Sequence, residues 1–396
     1  MKQTKLFRIL FLATYTLLKM YGFLPLKFDR KSNRFRESAI CLYYSVSFLV
    51  MYIWGIGCVY LIAIHVIHHE ESLHNVFMRF QFGLNYCFLV VAIAVIIGRR
   101  NTLNQLLNTL ILLLEMSGCG CHVRNDYKLL KRYSRKVLFV DFILEIIICL
   151  SYYLTGPDEL IGVLTGVNFF FMWSIAIFAS GFVSLCFVVA HIYRMINWRI
   201  DRAIQVLCDI EKETQNFNLH PTKKKLICLH VLKELNELAY LHRNVNLTVK
   251  GIVHLVDGPL LLTFIWYFLI VTFGVFYSYT ALVHDIRKGL RPPLMKYAHT
   301  FGVAAFHCCQ FYYVVSSAGL LVKRAEKTGV LLNRLYKSEV DERVQQTINL
   351  FSLELLHNSF ALENLGMFKI NYNLMYSVAA TIATSLIVVI QFQLSH

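Results

Sequence analysis

The stretch IGVLTGVNFFFMWSIAIFASGFVSLCFVVAH, residues 161–191, contains no Lys, Arg, Asp or Glu. About 20 such residues in a helix are enough to cross the hydrocarbon layer of a bilayer. Backbone groups find no water inside lipid, so a segment that crosses has to be helical. The stretch therefore predicts a transmembrane helix.

The composition of all 396 residues gives the same indication. Apolar residues make up 57% of the chain and charged residues only 16%, whereas soluble proteins carry about 25% charged residues. The mean hydropathy is +0.53. We expect an all-α integral membrane protein, because a β-barrel would show short alternating strands instead.

Six further stretches are equally apolar or nearly so, which gives seven predicted transmembrane helices. In chain order the seven cover residues 38–67, 80–97, 137–154, 161–191, 258–283, 298–322 and 370–393. Only the third contains acids, Asp141 and Glu145. Seven crossings place the two termini on opposite sides of the membrane.

The basic residues predict which side is which, because Lys and Arg are retained on the cytoplasmic face. The segment before the first span carries nine of the 39, and the second, fourth and sixth loops carry eight, ten and seven. The fifth loop carries four, Arg79 borders the second span, and the third loop and the C-terminal tail carry none. The N-terminus is therefore predicted to be cytoplasmic and the C-terminus extracellular.

This orientation is the reverse of that of a G-protein-coupled receptor, which is the alternative class of seven-helix sensor. A secondary transporter would show matching broken helices in its two halves, and the sequence shows none. The net charge of +15 does not indicate a nucleic-acid partner, because the basic residues flank apolar spans instead of covering one soluble face.

No enzyme motif is present, since the chain has no glycine-rich phosphate loop, no His-Glu-x-x-His and no nucleophile with a placed base. We expect no enzymatic activity and no cofactor. Cys119, Cys121 and His122 are closer together than the paired ligands of zinc sites, so no metal site is expected.

Asp141 and Glu145 lie four residues apart on one helix face. A carboxylate pair inside a membrane suits a proton or cation relay. We favour the other interpretation, which is that the two acids form structural ion pairs with basic residues on adjoining turns: Lys136, Arg135 or Arg132.

Apolar residues also recur at helical spacing outside the spans, which predicts packed cytosolic helices. The stripes are Leu103, Leu106, Leu107, Leu110 and Leu113; Leu232, Leu235, Leu238 and Leu241; and Val344, Ile348, Phe351 and Leu355. Such stripes suit a bundle within one subunit or between subunits. We divide the chain into a cytoplasmic segment with an interfacial helix (1–37), transmembrane helices 1–4 (38–193), cytosolic helices (194–251), transmembrane helices 5–6 (252–322), further cytosolic helices (323–369) and helix 7 (370–396).

One face of the last predicted helix is polar at its ends and aliphatic in the middle. Thr384, Ile387, Val388 and Gln391 follow the spacing i, i+3, i+4, i+7 and share that face. In a water-filled pore, Gln391 would meet ions while the aliphatic layers gated by dewetting. Alternatively, Gln391 simply reaches the headgroup region, where an amide costs little.

The run TSLIVVIQF, residues 384–392, resembles the signature that closes insect gustatory receptors: Thr-Tyr, five hydrophobic residues, then Gln-Phe. Ser385 stands where the family usually has Tyr. GMFKINYNLMYS (366–377) is similar to the family's lead-in to the seventh helix, and GFLPLKFD (22–29) resembles the start of divergent, bitter-type members.

The resemblance implies a ligand-gated, nonselective cation channel of four subunits in the plasma membrane, as a homotetramer or as a heteromer with other gustatory receptors. The seventh helix of each subunit would line the pore, so Thr384, Ile387, Val388 and Gln391 become pore-lining candidates. Inner extensions of helices four to seven would join the subunits as a cytosolic anchor domain. The tastant pocket would lie within each subunit, open to the outer side.

Ligand-binding candidates follow from side-chain chemistry, because small organic ligands bind between aromatic walls with few polar groups. The outer halves of spans two to six offer Gln81, Asn85, Tyr152, Tyr153, Phe170, Trp173, Tyr277, Phe306 and Gln310. Each alone also suits ordinary helix packing. Together they predict a mostly apolar, bitter-type tastant, because the hydroxyls of a sugar would need a denser polar lining.

Overall fold

The computed structural model of the chain describes residues 3–67, 73–118, 127–154, 159–215, 220–289, 294–335, 341–358 and 360–395. These residues are mainly helical, as predicted, and each of the seven apolar stretches lies in helical structure. The helices are α1 (Gln3–Met20), α2 (Ala39–Met51), α3 (Gly57–Ile67), α4 (Leu73–Gly98), α5 (Arg100–Gly118), α6 (Tyr127–Arg135), α7 (Glu145–Tyr153), α8 (Glu159–Gln215), α9 (Pro221–Leu255), α10 (Asp257–Arg287), α11 (Leu294–Leu335), α12 (Glu342–His357) and α13 (Tyr372–Ser395).

Two wider, π-helical segments join consecutive helices. Tyr52–Ile56 connects α2 to α3, and Lys136–Leu144 connects α6 to α7. The second segment contains Asp141, so the acidic part of the third predicted span is π-helical.

Among the described residues, four helices are long and apolar enough to cross a membrane. They lie within Ala39–Ile62, Gly166–Glu213, Asp257–Arg287 and His299–Arg334. A fifth is added if α4 and α5, which meet at an angle of 76°, count as one broken span. The apolar part of α13, Tyr372–Val388, is shorter.

α8 is the central helix of the fold. It has 57 residues and is therefore about 85 Å long at ~1.5 Å per residue. In the most apolar 18 residues of α8, 83% of the residues are buried, whereas in the corresponding stretch of Ala39–Ile62 only 17% are buried. The first predicted span thus lies at the outside of the fold, and α8 is enclosed by its neighbours.

Beyond the predicted spans, the far half of α8 packs with α9 and α11, and α12 packs on those two helices. The stripe residues Leu235, Leu238 and Leu241 of α9 are at most 1% exposed, and Val344, Ile348 and Phe351 of α12 at most 3%. Asn197 of α8 donates to the Arg324 carbonyl of α11 at 2.8 Å, and Arg199 pairs with Glu234 of α9 at 3.1 Å. Most residues of these two predicted stripes are therefore buried within one chain, whereas Leu232 and Leu355 are partly buried.

The N-terminal segment packs onto this framework. α1 lies along α8, where Leu18 contacts Gly181 so closely that a Cβ there would be 3.2 Å from the leucine methyls. Thr14 bonds to Ser184 at 3.0 Å and to Tyr133 at 2.6 Å.

Two small antiparallel hairpins were not predicted from the sequence. β1 (Leu26–Asp29) pairs with β2 (Arg34–Glu37), and β3 (Glu363–Asn364) pairs with β4 (Phe368–Lys369) just before α13. The first is fixed to α5 by Asn108, whose amide exchanges two hydrogen bonds of 2.8 and 3.0 Å with the backbone of Phe35.

Candidate functional site

α13 lies at one edge of the chain and packs mainly on α10 and α11. All four pore-lining candidates are exposed, with 55% exposure at Ile387 and 45% at Val388. The Thr384 hydroxyl donates to the Ala380 carbonyl at 3.0 Å, so it is satisfied within its own helix. The chain itself therefore leaves an apolar helical face with a polar residue at each end uncovered.

The base of α13 is held at two points. A Cβ on Gly319 of α11 would lie 2.9 Å from the ring of Tyr372, the first residue of α13, so the ring occupies the space that a side chain would take. Asn364 of the preceding hairpin is fully buried and donates to the backbone carbonyl of Asp257, at the start of α10, at 3.0 Å. The start of α13 is therefore in contact with both α10 and α11.

Two of the ligand-binding candidates, Tyr152 and Phe306, meet in one apolar cluster that also contains Phe169 and Met172. The Tyr152 ring lies 5.3 Å from the ring of His299 and 6.4 Å from that of Phe169. The polar side chains beside these rings include His299, whose Nδ1 lies 3.2 Å from the Ile148 carbonyl and 3.4 Å from the Ser151 hydroxyl. This cluster joins α7, α8 and α11 into an aromatic wall with few polar atoms.

Of the other candidates, Tyr153 contacts the Tyr152 ring edge to face at 6.0 Å, and the rest that are described lie apart from this cluster. Asn85 donates to Asn168 at 2.8 Å, the Phe170 ring stacks on Tyr21, and the Trp173 ring contacts Phe142 edge to face. Gln310 is buried against Asp141, Tyr153 is 50% exposed and Tyr277 is half-buried. Gln81 lies on α4, but its side chain is outside the described part of the structure.

Lys136 and Asp141 form a buried ion pair in the π-helical segment. The Lys136 Nζ lies 2.8 and 2.9 Å from the two carboxylate oxygens, and both side chains are at most 1% exposed. Ser180 of α8 bonds to both partners, and Gln310 of α11 donates to Asp141 at 2.7 Å. Structural pairing is therefore correct for Asp141, which links three helices.

Glu145 differs from Asp141 although it lies one turn away. It is 4% exposed, and neither carboxylate oxygen has a hydrogen-bond partner among the described residues. Structural pairing is therefore not observed for Glu145. Within the described ranges, no group of three or more His, Cys, Asp and Glu side chains is placed to hold a metal ion; Cys119, Cys121 and His122 lie outside those ranges.

Sequence reasoning did not single out His307. It is 1% exposed on α11, accepts a hydrogen bond from Trp266 Nε1 at 2.9 Å and has its Nδ1 2.9 Å from the Val303 carbonyl. The Tyr267 and Phe306 rings pack on it edge to face. A single histidine in an apolar run carries no periodic signal, so only the packed structure shows that it joins α10 to α11 beside the Tyr152 cluster.

Another buried histidine, His242, lies on α9 outside the predicted spans. It contacts the rings of Tyr193 on α8 and Phe351 on α12, 5.1 and 5.8 Å away. Its Nε2 has no partner among the described residues, and Glu326 lines the same groove of about 720 Å³. Burial lowers the pKa of the His242 imidazole from its ordinary value of 6.5 to about 4.

Because the folded state holds His242 neutral, we expect acid to destabilise the protein between pH 6.5 and pH 4. Across that window the unfolded chain binds a proton that the folded chain does not, so the free energy of unfolding decreases as the pH falls, by up to about 3 kcal/mol. Thermal unfolding of the purified protein across this window measures the loss. A His242→Phe variant should lose less stability than the wild type over this window, because it has no imidazole to protonate. An equal acid loss in His242→Phe would contradict this account.

Known proteins similar to this chain were found by sequence and by fold. The family model described as 7tm Chemosensory receptor matches residues 11–396. The putative gustatory receptor 28b of Drosophila melanogaster is 28% identical over 135 residues, which are 32% of this chain and 27% of the relative. The gustatory receptor for bitter taste 66a of Drosophila melanogaster is 24% identical over 165 residues, 42% of this chain and 31% of the relative. The matched segments thus span less than a third of either relative.

The fold resembles that of solved olfactory receptors. The insect olfactory receptor OR5 from Machilis hrabei superposes with a TM-score of 0.68 at 14% identity, covering 97% of this chain and 98% of that one. The same receptor in complex with eugenol gives a TM-score of 0.65 at 13% identity and 99% coverage of both chains. At these identities the likeness establishes the fold alone.

Proposed function

The chain belongs to the 7tm chemosensory receptor family, which it matches over residues 11–396, and from this we propose that it is a gustatory receptor that acts as a subunit of a nonselective cation channel. The observation that carries the proposal is the exposed face of α13, with Thr384, Ile387, Val388 and Gln391. Polar residues at the ends of an aliphatic stretch suit a pore wall that conducts ions when wide and gates by dewetting when narrow.

The proposed topology has seven transmembrane helices with the N-terminus cytoplasmic and the C-terminus extracellular, in the plasma membrane. The spans would be α2–α3, α4, the helix ending at Tyr153, α8, α10, α11 and α13. The membrane regions would be residues 38–193, 252–322 and 370–396. The segments before, between and after the first two of these regions, residues 1–37, 194–251 and 323–369, would be cytosolic. Support comes from the basic residues, which are concentrated in these segments and the second loop.

An assembly of several subunits is supported by apolar residues exposed outside the predicted spans. On α9, Leu226 is 68% exposed, Leu229 57% and Tyr240 60%, and they line a groove of about 1260 Å³. On α12, Leu350 and Leu356 are 68% and 75% exposed. Contiguous apolar surface facing water marks an interaction site, so we propose that α9 and α12 contact neighbouring subunits in a homotetramer or in a heteromer with other gustatory receptors.

The proposed ligand is a small, mostly apolar tastant of the bitter type. The Tyr152 cluster offers aromatic surface with few hydrogen-bonding groups, and such a lining favours apolar molecules. One relative is named for bitter taste, and the structural neighbour was solved with eugenol, a small aromatic phenol.

We propose that the ligand opens the channel by stabilising one arrangement of α7, α8 and α11 over another. α11 contacts the ligand cluster through Phe306 and the start of α13 through Gly319. α10 contacts the segment before α13 as well, because the Asp257 carbonyl at the start of α10 accepts a hydrogen bond from Asn364 of the hairpin. A shift of α11 at the cluster would therefore reach the pore helix.

The first experiment is antibody labelling of intact cells that carry a tag after His396 or before Met1. We expect only the C-terminal tag to be labelled, and we expect apolar bitter compounds to evoke cation currents in excised patches that contain no nucleotide. Labelling of the N-terminal tag instead would contradict the topology and favour a G-protein-coupled receptor. Currents that need GTP in the bath would contradict the channel.

A further inference from the structure

A cavity of about 180 Å³ lies between α1, α5 and the middle of α8, where residues 178–188 follow the part of α8 that belongs to the Tyr152 cluster. Leu18 of α1, Leu107 and Leu110 of α5, and Phe182 and Leu185 of α8 form much of its wall. Ile96 and Ile252 extend it to the ends of α4 and α9. The cavity therefore lies where several helices change direction.

The polar groups in its wall are occupied. Thr14 and Ser184 bond to each other, and Thr14 also bonds to Tyr133. The Tyr15 hydroxyl lies within 3.4 Å of the Leu26 carbonyl and accepts from the Phe28 amide at 3.3 Å. Water needs two to four polar partners in a cavity, and these groups already have partners in the protein. The cavity is therefore suited to an apolar occupant.

Its size sets the class of occupant. An apolar cavity of about 150 Å³ lined by Leu, Ile and Phe stays dry and takes up benzene, and this cavity is slightly larger and similarly lined. An aromatic ring or a short length of hydrocarbon chain would fit and would recover the dispersion contacts that an empty space forfeits.

We propose that this cavity is a second binding site, separate from the Tyr152 cluster, for a hydrocarbon group about the size of a benzene ring. The group has two possible sources, the acyl chain of a membrane lipid or a free lipophilic compound. An occupant would touch α1, the 76° bend between α4 and α5, and the junction of α9 with α10. It would therefore stabilise the region that joins the predicted membrane helices to the cytosolic ones.

The test uses the full-length purified protein in lipid nanodiscs and phenyl-diazirine as a photoreactive probe of benzene size. After irradiation, peptide mass spectrometry should find adducts on the wall residues of α5 and α8, and excess toluene should reduce them. Leu185→Phe and Leu107→Phe fill the cavity from opposite walls, and each should lower these adducts about tenfold, because a close-packed interior leaves no room for the probe. Leu112→Phe, which is 44% exposed on α5, is the matched control and should label like the wild type.

A phosphatidylcholine with a diazirine in its acyl chain identifies the source. Adducts from this lipid on the same wall residues would assign the site to membrane lipid, and adducts from the aryl probe alone would assign it to free compounds; both support the site. Unchanged wall adducts in both filling variants, each shown by thermal unfolding to be folded, would overturn it. Because labelling is measured without current, the outcome is independent of whether the protein is a channel.

Discussion

Replacing Asp141 with leucine should lower the free energy of unfolding by about 3–5 kcal/mol, because removing one partner of a buried ion pair leaves the other charge uncompensated. Lys136 is fully buried, and its Nζ contacts Asp141, Ser180 and the Ala176 carbonyl. Without the carboxylate, the ammonium has only neutral acceptors. Thermal unfolding in nanodiscs and the fraction of protein at the cell surface both measure the loss.

Two further variants make this prediction specific. In Lys136→Met/Asp141→Leu both charges are absent, and we expect more than half of the lost stability to return, although Gln310 and Ser180 then lack a partner. Glu145→Leu introduces the same residue one turn away at a carboxylate without a partner, and it should be neutral or stabilising. If the double variant were no more stable than Asp141→Leu, the charge argument would be wrong.

If the chain forms the proposed tetrameric channel, Gln391→Arg should reduce the ligand-evoked cation current about tenfold or more at equal surface expression, since a ring of four arginines in the pore would repel cations. Gln391 is exposed on α13, near the predicted outer end of the pore. Gln391→Glu should instead retain the current and raise the relative permeability to divalent cations, because carboxylate rings attract cations. Patch-clamp recording with changed external ions measures both.

The control for Gln391→Arg places the same charge at the predicted outer boundary but away from the pore. Leu61 lies near the outer end of the first predicted span and is 66% exposed, so Leu61→Arg should conduct like the wild type. Gln391→Ala should also alter permeation. Unchanged currents and ion selectivity in all three Gln391 variants would exclude this residue from the pore.

The sequence was sufficient to predict the helices. Long apolar stretches have to be helical in lipid, and all seven are. The stripes at Leu103, Leu110 and Leu113 and at Leu235 and Leu238 were predicted to pack, and all are buried, because helical spacing alone fixes which residues share a face.

Contacts between helices were much less predictable. Of the eight ligand-binding candidates whose side chains the structure describes, Tyr152 and Phe306 share one cluster and Tyr153 contacts Tyr152. The other five lie elsewhere, because residue spacing predicts which face of a helix is apolar but not which helix packs against that face. Gln310 was expected to meet a ligand, yet it lies against Asp141. His307 and Trp266 were not singled out, since the spacing of residues along one helix does not predict a hydrogen bond to the next helix.

Lys136 was counted among the loop residues that flank the third span, and it is instead fully buried. Its partner Asp141 is five residues ahead, a spacing that turns away from Lys136 in an α-helix of 3.6 residues per turn. The π-helical backbone of Lys136–Leu144 repeats at i, i+5 and brings the two together. The residue types of this stretch do not predict that its backbone is π-helical.

The wider turn also affects how this helix is aligned with those of other receptors. A π-helical segment holds more residues per turn than an α-helix over the same path, so a relative without it would be at least one residue shorter between Tyr133 and Cys149. An alignment that opens no gap there would match Asp141 with a residue on a different face of the helix, about 100° away. Equivalent positions around this ion pair are therefore best assigned from superposed backbones, and ancestral sequences reconstructed without that gap would misplace the charge.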